Sequence, residues 1–260
     1  IIKGVSHSFN GSRWITSIET IAQPKVQYSK NLKTEETKTS NLPEFIEDDA
    51  EVASRGEGLI DVTKTYSGSK KTIIDIYGWP VDIQEISGRY YAKPSSQDAG
   101  NRNVYFKSNA YLTNTTNFEY NLKLQGSLVN SIKIKYLLKD LVTPLKTVLG
   151  LIEQKGLSSG VRSIDAAIYP RDTTGKQNIG NLSGHSFGVA LDVNAYQYPY
   201  GNAGYKKYTE DLQKGLSSAK VIEIFANSGL FNWGGDYTSS SKDAHHFSLK
   251  TLKGNPLSSI

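Results

Sequence analysis

The chain has 260 residues, a net charge of +5, 37% hydrophobic and 10% aromatic residues and 16 tyrosines, enough for a packed core and too apolar for a disordered polymer. It has no cysteine, which excludes a disulfide framework and any thiolate metal site, so a metal would need nitrogen and oxygen ligands. No apolar run approaches the ~20 residues of a membrane span, and the basic balance comes without a dense Lys/Arg run, which argues against a nucleic-acid partner.

The chain starts at Ile1 and contains no methionine, so it reads as a processed product or a fragment of a longer chain. Residues 1–103 are rich in Ser, Thr, Lys, Glu and Gly, with a polar stretch at 29–40 and an acidic patch, Glu47-Asp48-Asp49-Ala50-Glu51. Short runs at 14–18, 72–76 and 89–92 read as strands and helical periodicity is poor. This region is expected to be irregular and β-rich, an anchoring or linking segment. His7 is expected to be structural.

From residue 104 the patterns sharpen. At 131–136, Ile132, Ile134 and Tyr136 alternate with Lys133 and Lys135, as in a half-buried strand. A helix is expected next, with Thr143 as N-cap, Pro144 at its first position, an apolar stripe of Leu145, Val148, Leu149 and Ile152, and Gly156 as its stop. Residues 161–169 read as a strand ending at Pro170. Residues 218–227 read as a second helix, with Val221, Ile222 and Phe225 inward and Gly229 closing it. The order defines an α+β domain over 104–260, a small, mostly antiparallel sheet with flanking helices.

Three of the four histidines fall in two dense segments. One is Ser183-Gly184-His185-Ser186-Phe187-Gly188-Val189-Ala190-Leu191-Asp192. The other is Trp233-Gly234-Gly235-Asp236-Tyr237, followed by Asp243-Ala244-His245-His246-Phe247. A straight strand would hold His185 and Asp192 ~23 Å apart, whereas zinc ligands lie ~2.0–2.2 Å from the ion. The chain is therefore expected to bend at Gly188, which accepts unusual backbone angles. Beyond the bend, Val189, Leu191 and Val193 point to a core, and Ala190, Asp192 and Asn194 to the other side. A third ligand comes from His245 or His246, which on a strand point to opposite faces, so only one can join. Asp243 is spaced to act as general base toward metal-activated water and then as proton donor to a leaving amine. Each piece alone has a plainer reading, as structural histidines and turn-capping aspartates. Their combination points to a metal hydrolase.

This combination strongly resembles the M15 zinc peptidases, the D-alanyl-D-alanine carboxypeptidase and L-alanyl-D-glutamate endopeptidase group that cleaves peptidoglycan stem peptides. The resemblance spans about residues 104–260 and includes the helix at 144–156, Tyr169-Pro170-Arg171 and Asn194. It implies that family's hedgehog-like α+β fold and Zn2+ held by His185, Asp192 and His246. It makes Asp243 the catalytic base and Arg171 the residue that binds a substrate carboxylate or polarises the scissile carbonyl, with Ser183 and Trp233 as further substrate contacts. A surface salt bridge is the alternative for Arg171. An Asp rather than a Glu at 243 is similar to the endopeptidase branch. Tyr237 departs from the Trp of many relatives, and residues 238–242 lengthen the connection to Asp243. The choice of His246 over His245 follows from the His246-Phe247 analogy.

Tyr196, Tyr198, Tyr200, Tyr205 and Tyr208 read as a lid or groove wall, or as a packed surface loop. Gly4-Val5-Ser6-His7-Ser8-Phe9 with Trp14-Ile15-Thr16-Ser17-Ile18-Glu19 resembles the closing strand of phage tail or baseplate hub proteins, with a plain β-hairpin as the alternative. The expectation is a zinc-dependent peptidoglycan hydrolase of the L-alanyl-D-glutamate endopeptidase type. It would act on the stem peptide outside the cell or facing the wall, on a virion tail with tail or baseplate partners if phage-borne. A D,D-carboxypeptidase on the same scaffold and a non-catalytic structural or wall-binding tail component are the rivals.

Overall fold

The chain divides into two packing units, Ile1–Phe45 and Ile46–Ile260. The computed structural model describes residues 2–9, 14–20, 59–94, 96–97, 103–104, 108–166, 170, 180–238 and 240–260. In the smaller unit, β1 (Ile2–Phe9) pairs antiparallel with β2 (Trp14–Thr20), with Phe9 opposite Trp14.

The larger unit opens with β3 (Ile60–Asp61), α1 (Gly68–Tyr77), β4 (Ile83–Ile86) and β5 (Arg89–Ala92), the three strands forming an antiparallel sheet with β5 central. The run at 72–76, expected as a strand, lies within α1. Ile73 and Ile74 are buried, and this packing outweighs the weak helix preference of β-branched residues. Gly78, at φ +83°, ends the helix. Val62, Ile73, Ile74, Val81 and Ala92 join the same core as the helices and strands after residue 108. The segment upstream of the 103/104 boundary expected from composition thus contributes to the core of the larger unit.

A short pairing of β6 (Ser96–Gln97) with β7 (Asn103–Val104) and the one-turn α2 (Asn109–Leu112) lead to a long hairpin, β8 (Thr115–Leu124) with β9 (Ser127–Leu138). Phe118, Leu122, Ile132 and Ile134 are buried on one face. The expected alternation stops there. Tyr136 takes a positive φ of 56° and turns outward, which sends both Leu137 and Leu138 into the core. Helix α3 (Lys139–Gln154) begins ahead of the expected Thr143 cap, so Pro144 lies inside it. Leu141 adds one more buried position at that end, and Pro144 forgoes only the bond to the Asp140 carbonyl. The stripe Leu145, Val148, Leu149 and Ile152 is buried as expected, and Gly156 at φ +66° stops the helix.

Next come β10 (Ile164–Asp165), β11 (Ala190–Val193), α4 (Asn202–Gln213), α5 (Ser217–Asn227), β12 (Phe231–Trp233), β13 (His246–Leu249), β14 (Thr251–Leu252) and β15 (Asn255–Pro256). The rest of the strand expected at 161–169 is not seen at 161–163 or 166, and 167–169 lie outside the described residues. One sheet, ordered β10-β11-β13-β12 with all neighbours antiparallel, carries the site. On one face Phe247 and Phe231 pack on Phe225 of α5 at ring distances of 5.1 and 5.6 Å. Alternation leaves Ala190, Asp192, His246 and Ser248 on the other face. Five α-helices and several small antiparallel sheets among the described residues make this an α+β fold. Among the described residues no helix is long and apolar enough to cross a membrane.

Candidate metal centre

The segment before β11 is built as a brace and a bend. Leu182 N–H donates to Thr65 Oγ1 (2.9 Å), and Lys70 Nζ donates to Asn181 Oδ1 (2.9 Å). A single 3-10 turn, Gly184–Phe187, then presents His185. Gly188 follows in left-handed backbone, φ +68°, the bend the sequence called for. A Cβ there would lie 2.7 Å from the Tyr136 carbonyl oxygen, so glycine is needed for space as well as for conformation. Buried Tyr111 donates its hydroxyl to the Phe187 carbonyl (2.8 Å) and holds the turn. Past the bend, Val189, Leu191 and Val193 are fully buried as expected.

Strand register brings the second imidazole to the carboxylate. Asp192 of β11 stands opposite His246 of β13, and cross-strand partners share a face at close range. The Trp233-Gly234-Gly235 turn supports the approach to β13. Asp243 N–H donates to the Gly234 carbonyl (3.0 Å) and Trp233 Nε1 donates to the Ala244 carbonyl (2.9 Å). A Cβ on Gly234 would lie 2.4 Å from the Asp243 carbonyl oxygen and 3.1 Å from His246 Cβ.

Three atoms converge. His185 Nε2, Asp192 Oδ1 and His246 Nδ1 are 3.2 Å from one another along all three edges. A tetrahedral ion with ligand bonds of ~2.0–2.1 Å separates its ligand atoms by ~3.3–3.4 Å, so the triangle has the size of a tetrahedral face. Two imidazoles and a carboxylate are also the nitrogen and oxygen donor set that suits zinc. A shared cation satisfies all three atoms at once, whereas two facing ring nitrogens cannot both donate to each other. His185, Asp192 and His246 are thus the group among the described residues that could hold a metal ion. Burial pushes the Asp192 carboxyl up, but hydrogen bonds from His185 and then His246 outweigh it and hold the group well below the ordinary carboxylate range.

His245 lies in the turn before β13 rather than on a strand, so its ring does not point away from the site as strand alternation implied. Its Nδ1 is 2.6 Å from the Tyr198 carbonyl oxygen and 2.9 Å from Asp243 Oδ1, and its Nε2 is 3.7 Å from Asp192 Oδ1. One nitrogen has one proton, and the closer, better-directed contact is the carbonyl. Asp243 Oδ1 is therefore buried beside the triangle without a directed hydrogen bond among the described residues. Burial lowers the His245 pKa, and the Asp243 carboxylate more than reverses this, leaving it raised. Tyr237 is pushed up to about 12 by burial and then by Asp243, so its hydroxyl stays protonated at neutral pH.

The remaining expected site residues fall into three situations. Ser183 is buried, and its Oγ has no hydrogen-bond partner among the described residues. The Trp233 ring packs against α4, 6.1 Å from Tyr205 and 5.4 Å from Tyr208. Arg171 lies outside the described residues. Of the tyrosine-rich segment, Tyr198 and Tyr208 are buried, while Tyr196 and Tyr200 are exposed. Sequence reasoning missed the braces Thr65, Lys70 and Tyr111, whose partners lie 117, 111 and 76 residues away. No local pattern signals such contacts.

A small antiparallel sheet whose polar face brings two imidazoles and one carboxylate together, with the Asp243 carboxylate against the neighbouring His245, defines a candidate metallohydrolase centre. Residues 177–249 match the M15 peptidase family model described as D-alanyl-D-alanine carboxypeptidase, and the match supports an M15 peptidase. The matched stretch contains Ser183, His185, Asp192, Trp233, Asp243 and His246 and begins after Arg171. No curated protein and no solved structure matches the chain.

Proposed function

We propose that this chain is a zinc-dependent peptidase that hydrolyses an amide bond in the peptidoglycan stem peptide. The M15 match supports a peptidoglycan-related peptidase in general. The observation that carries the finer reading is the triangle of His185, Asp192 and His246 with 3.2 Å edges. Zinc held there would supply Lewis acidity, lowering the pKa of water toward ~7 and polarising a carbonyl. Asp243 accepts the proton of the attacking water and returns it to the leaving amine. The His245 ring, anchored on the Tyr198 carbonyl, lies 2.9 Å from Asp243 Oδ1 at Nδ1 and 3.7 Å from Asp192 Oδ1 at Nε2. Ser183, whose buried Oγ has no hydrogen-bond partner among the described residues, is assigned to substrate binding. Arg171 takes a substrate carboxylate or the oxygen of the scissile carbonyl, and Trp233 serves the substrate wall through Tyr205 and Tyr208. The chain acts outside the cell or against the wall, and the hairpin β1–β2 belongs to a phage tail or baseplate attachment.

The Asp at position 243 favours an L-alanyl-D-glutamate endopeptidase. The description of the matching family model favours a second reading, a D,D-carboxypeptidase. Digestion of purified peptidoglycan decides between them. Endopeptidase action releases new amino termini on D-Glu, and carboxypeptidase action releases free D-Ala. Asp243→Ala is expected to retain zinc while losing at least ~100-fold in rate. A variant that holds zinc and still cuts at the wild-type rate would remove Asp243 from the chemistry. Zinc binding without turnover on any wall would leave a structural component.

A further inference from the structure

Residues 257–260, beyond the stretch that the family model matches, close one side of the centre. Leu257 is buried, its N–H donates to the Lys250 carbonyl and its carbonyl accepts from Asn232 Nδ2, each at 2.8 Å. Ser258 N–H donates to Ser69 Oγ in the first turn of α1 (2.7 Å), and the two hydroxyls are 2.8 Å apart. The Ser259 side chain lies near the Tyr237 hydroxyl. The Ile260 backbone oxygen then lies 3.3 Å from His246 Nε2. It also lies 3.2 Å from the point where a Cβ on residue 184 would be. The glycine before His185 is thus what leaves room for that oxygen.

A carbonyl or carboxylate oxygen only accepts, so the Ile260 oxygen is a partner for Nε2–H, the tautomer that leaves the Nδ1 lone pair for a cation. Nδ1 faces His185 Nε2 and Asp192 Oδ1, and without a cation it can donate to the Asp192 carboxylate instead. Metal-ligating imidazoles generally donate their other N–H to a carbonyl, carboxylate or water, which fixes tautomer and ring orientation and raises ligand basicity. We propose that residues 257–260 form a positioning strap, latched by Ser69, whose Ile260 backbone oxygen faces His246 Nε2 and holds the ring with Nδ1 turned to the metal triangle. The inference rests on the metal-centre reading above and assigns to this centre a component from outside the matched stretch.

Zinc affinity tests it, measured by competition with a chromophoric chelator on the full chain and on a variant ending at Leu257. Thermal unfolding of both is recorded without metal. The shortened variant is expected to bind zinc ~10–100-fold more weakly, with the metal-free unfolding midpoint unchanged and the Co2+ absorption bands shifted. Equal affinities and identical Co2+ bands would overturn the strap. If the shortened variant fails to fold, Ser69→Ala replaces it, unlatching Ser258 at full length. Weakened zinc binding in folded Ser69→Ala supports the strap, and unchanged binding overturns it. A full chain that takes up no zinc would instead overturn the metal-centre reading itself, so the two failures are distinguishable.

Discussion

Asn194 shows how a residue outside the metal triangle can set its geometry. It takes a positive φ of 55° directly after β11, a conformation that asparagine tolerates better than most side chains. Its Oδ1 accepts from Arg162 N–H (2.7 Å) and Ser163 N–H (3.2 Å), and its Nδ2 donates to the carbonyls of Gly160 (2.9 Å) and Ser218 (3.3 Å). These bonds hold the end of the strand that carries Asp192. Asn194→Ala leaves two backbone donors without their acceptor and puts alanine in left-handed backbone, so a loss of at least ~2 kcal/mol is expected. Asn194→Asp, which keeps the acceptor, should lose less. Chemical denaturation checks the order, and an alanine variant as stable as wild type would refute the account. The sequence marked Asn194 by strand alternation and by the family resemblance but not as a lock on the strand end, because its partners lie 24 to 34 residues away. The approach of His185 to Asp192 and the Gly188 bend were legible because both fall in one short segment where spacing restricts the geometry.

At the scale of elements, legibility follows periodicity. Helices α3 and α5 carry clean apolar stripes, and the sequence located both, although α3 starts earlier because Leu141 extends its buried face. Helix α1 was read as a strand because Thr72, Ile73, Ile74 and Ile76 are β-branched, and only burial of Ile73 and Ile74 in a distant core reverses that preference. The site sheet needs α5 beneath it, since Phe225 contacts both Phe231 and Phe247, the residue after His246. Phe225→Ala is expected to cost ~3–5 kcal/mol and to weaken zinc binding, because the cavity loosens the strand that holds His246. Unaltered zinc affinity in a destabilised variant would show that the sheet face is positioned without α5. Gly188→Ala probes the bend. A Cβ 2.7 Å from a backbone oxygen, on left-handed backbone, should destabilise by more than ~1 kcal/mol. An alanine variant with wild-type stability would refute that reading.

For the larger unit as a whole, the metal reading has a consequence that needs no substrate. The triangle joins a turn after the Thr65 brace, a strand locked by Asn194 and a strand supported by α5, so an ion bound there binds the folded chain and not the unfolded one. That contribution of upstream residues was hidden from the sequence, since Thr65 and Leu182 are 117 positions apart. Binding to the native state alone stabilises it by ~4 kcal/mol at a free zinc concentration ~1,000 times Kd. For a unit of this size each kcal/mol moves the midpoint by ~2–4 °C, so zinc should raise the unfolding midpoint by ~8–16 °C and a chelator should reverse the rise. Asp192→Asn should abolish the shift, because it replaces an anionic ligand by a neutral amide, whereas Asp243→Asn should keep it, because Asp243 is not one of the three converging groups. Calorimetry of the three proteins with and without zinc separates ligand from base without any assay of activity. An equal shift in wild type and Asp192→Asn would mean that the ion stabilising the fold binds elsewhere.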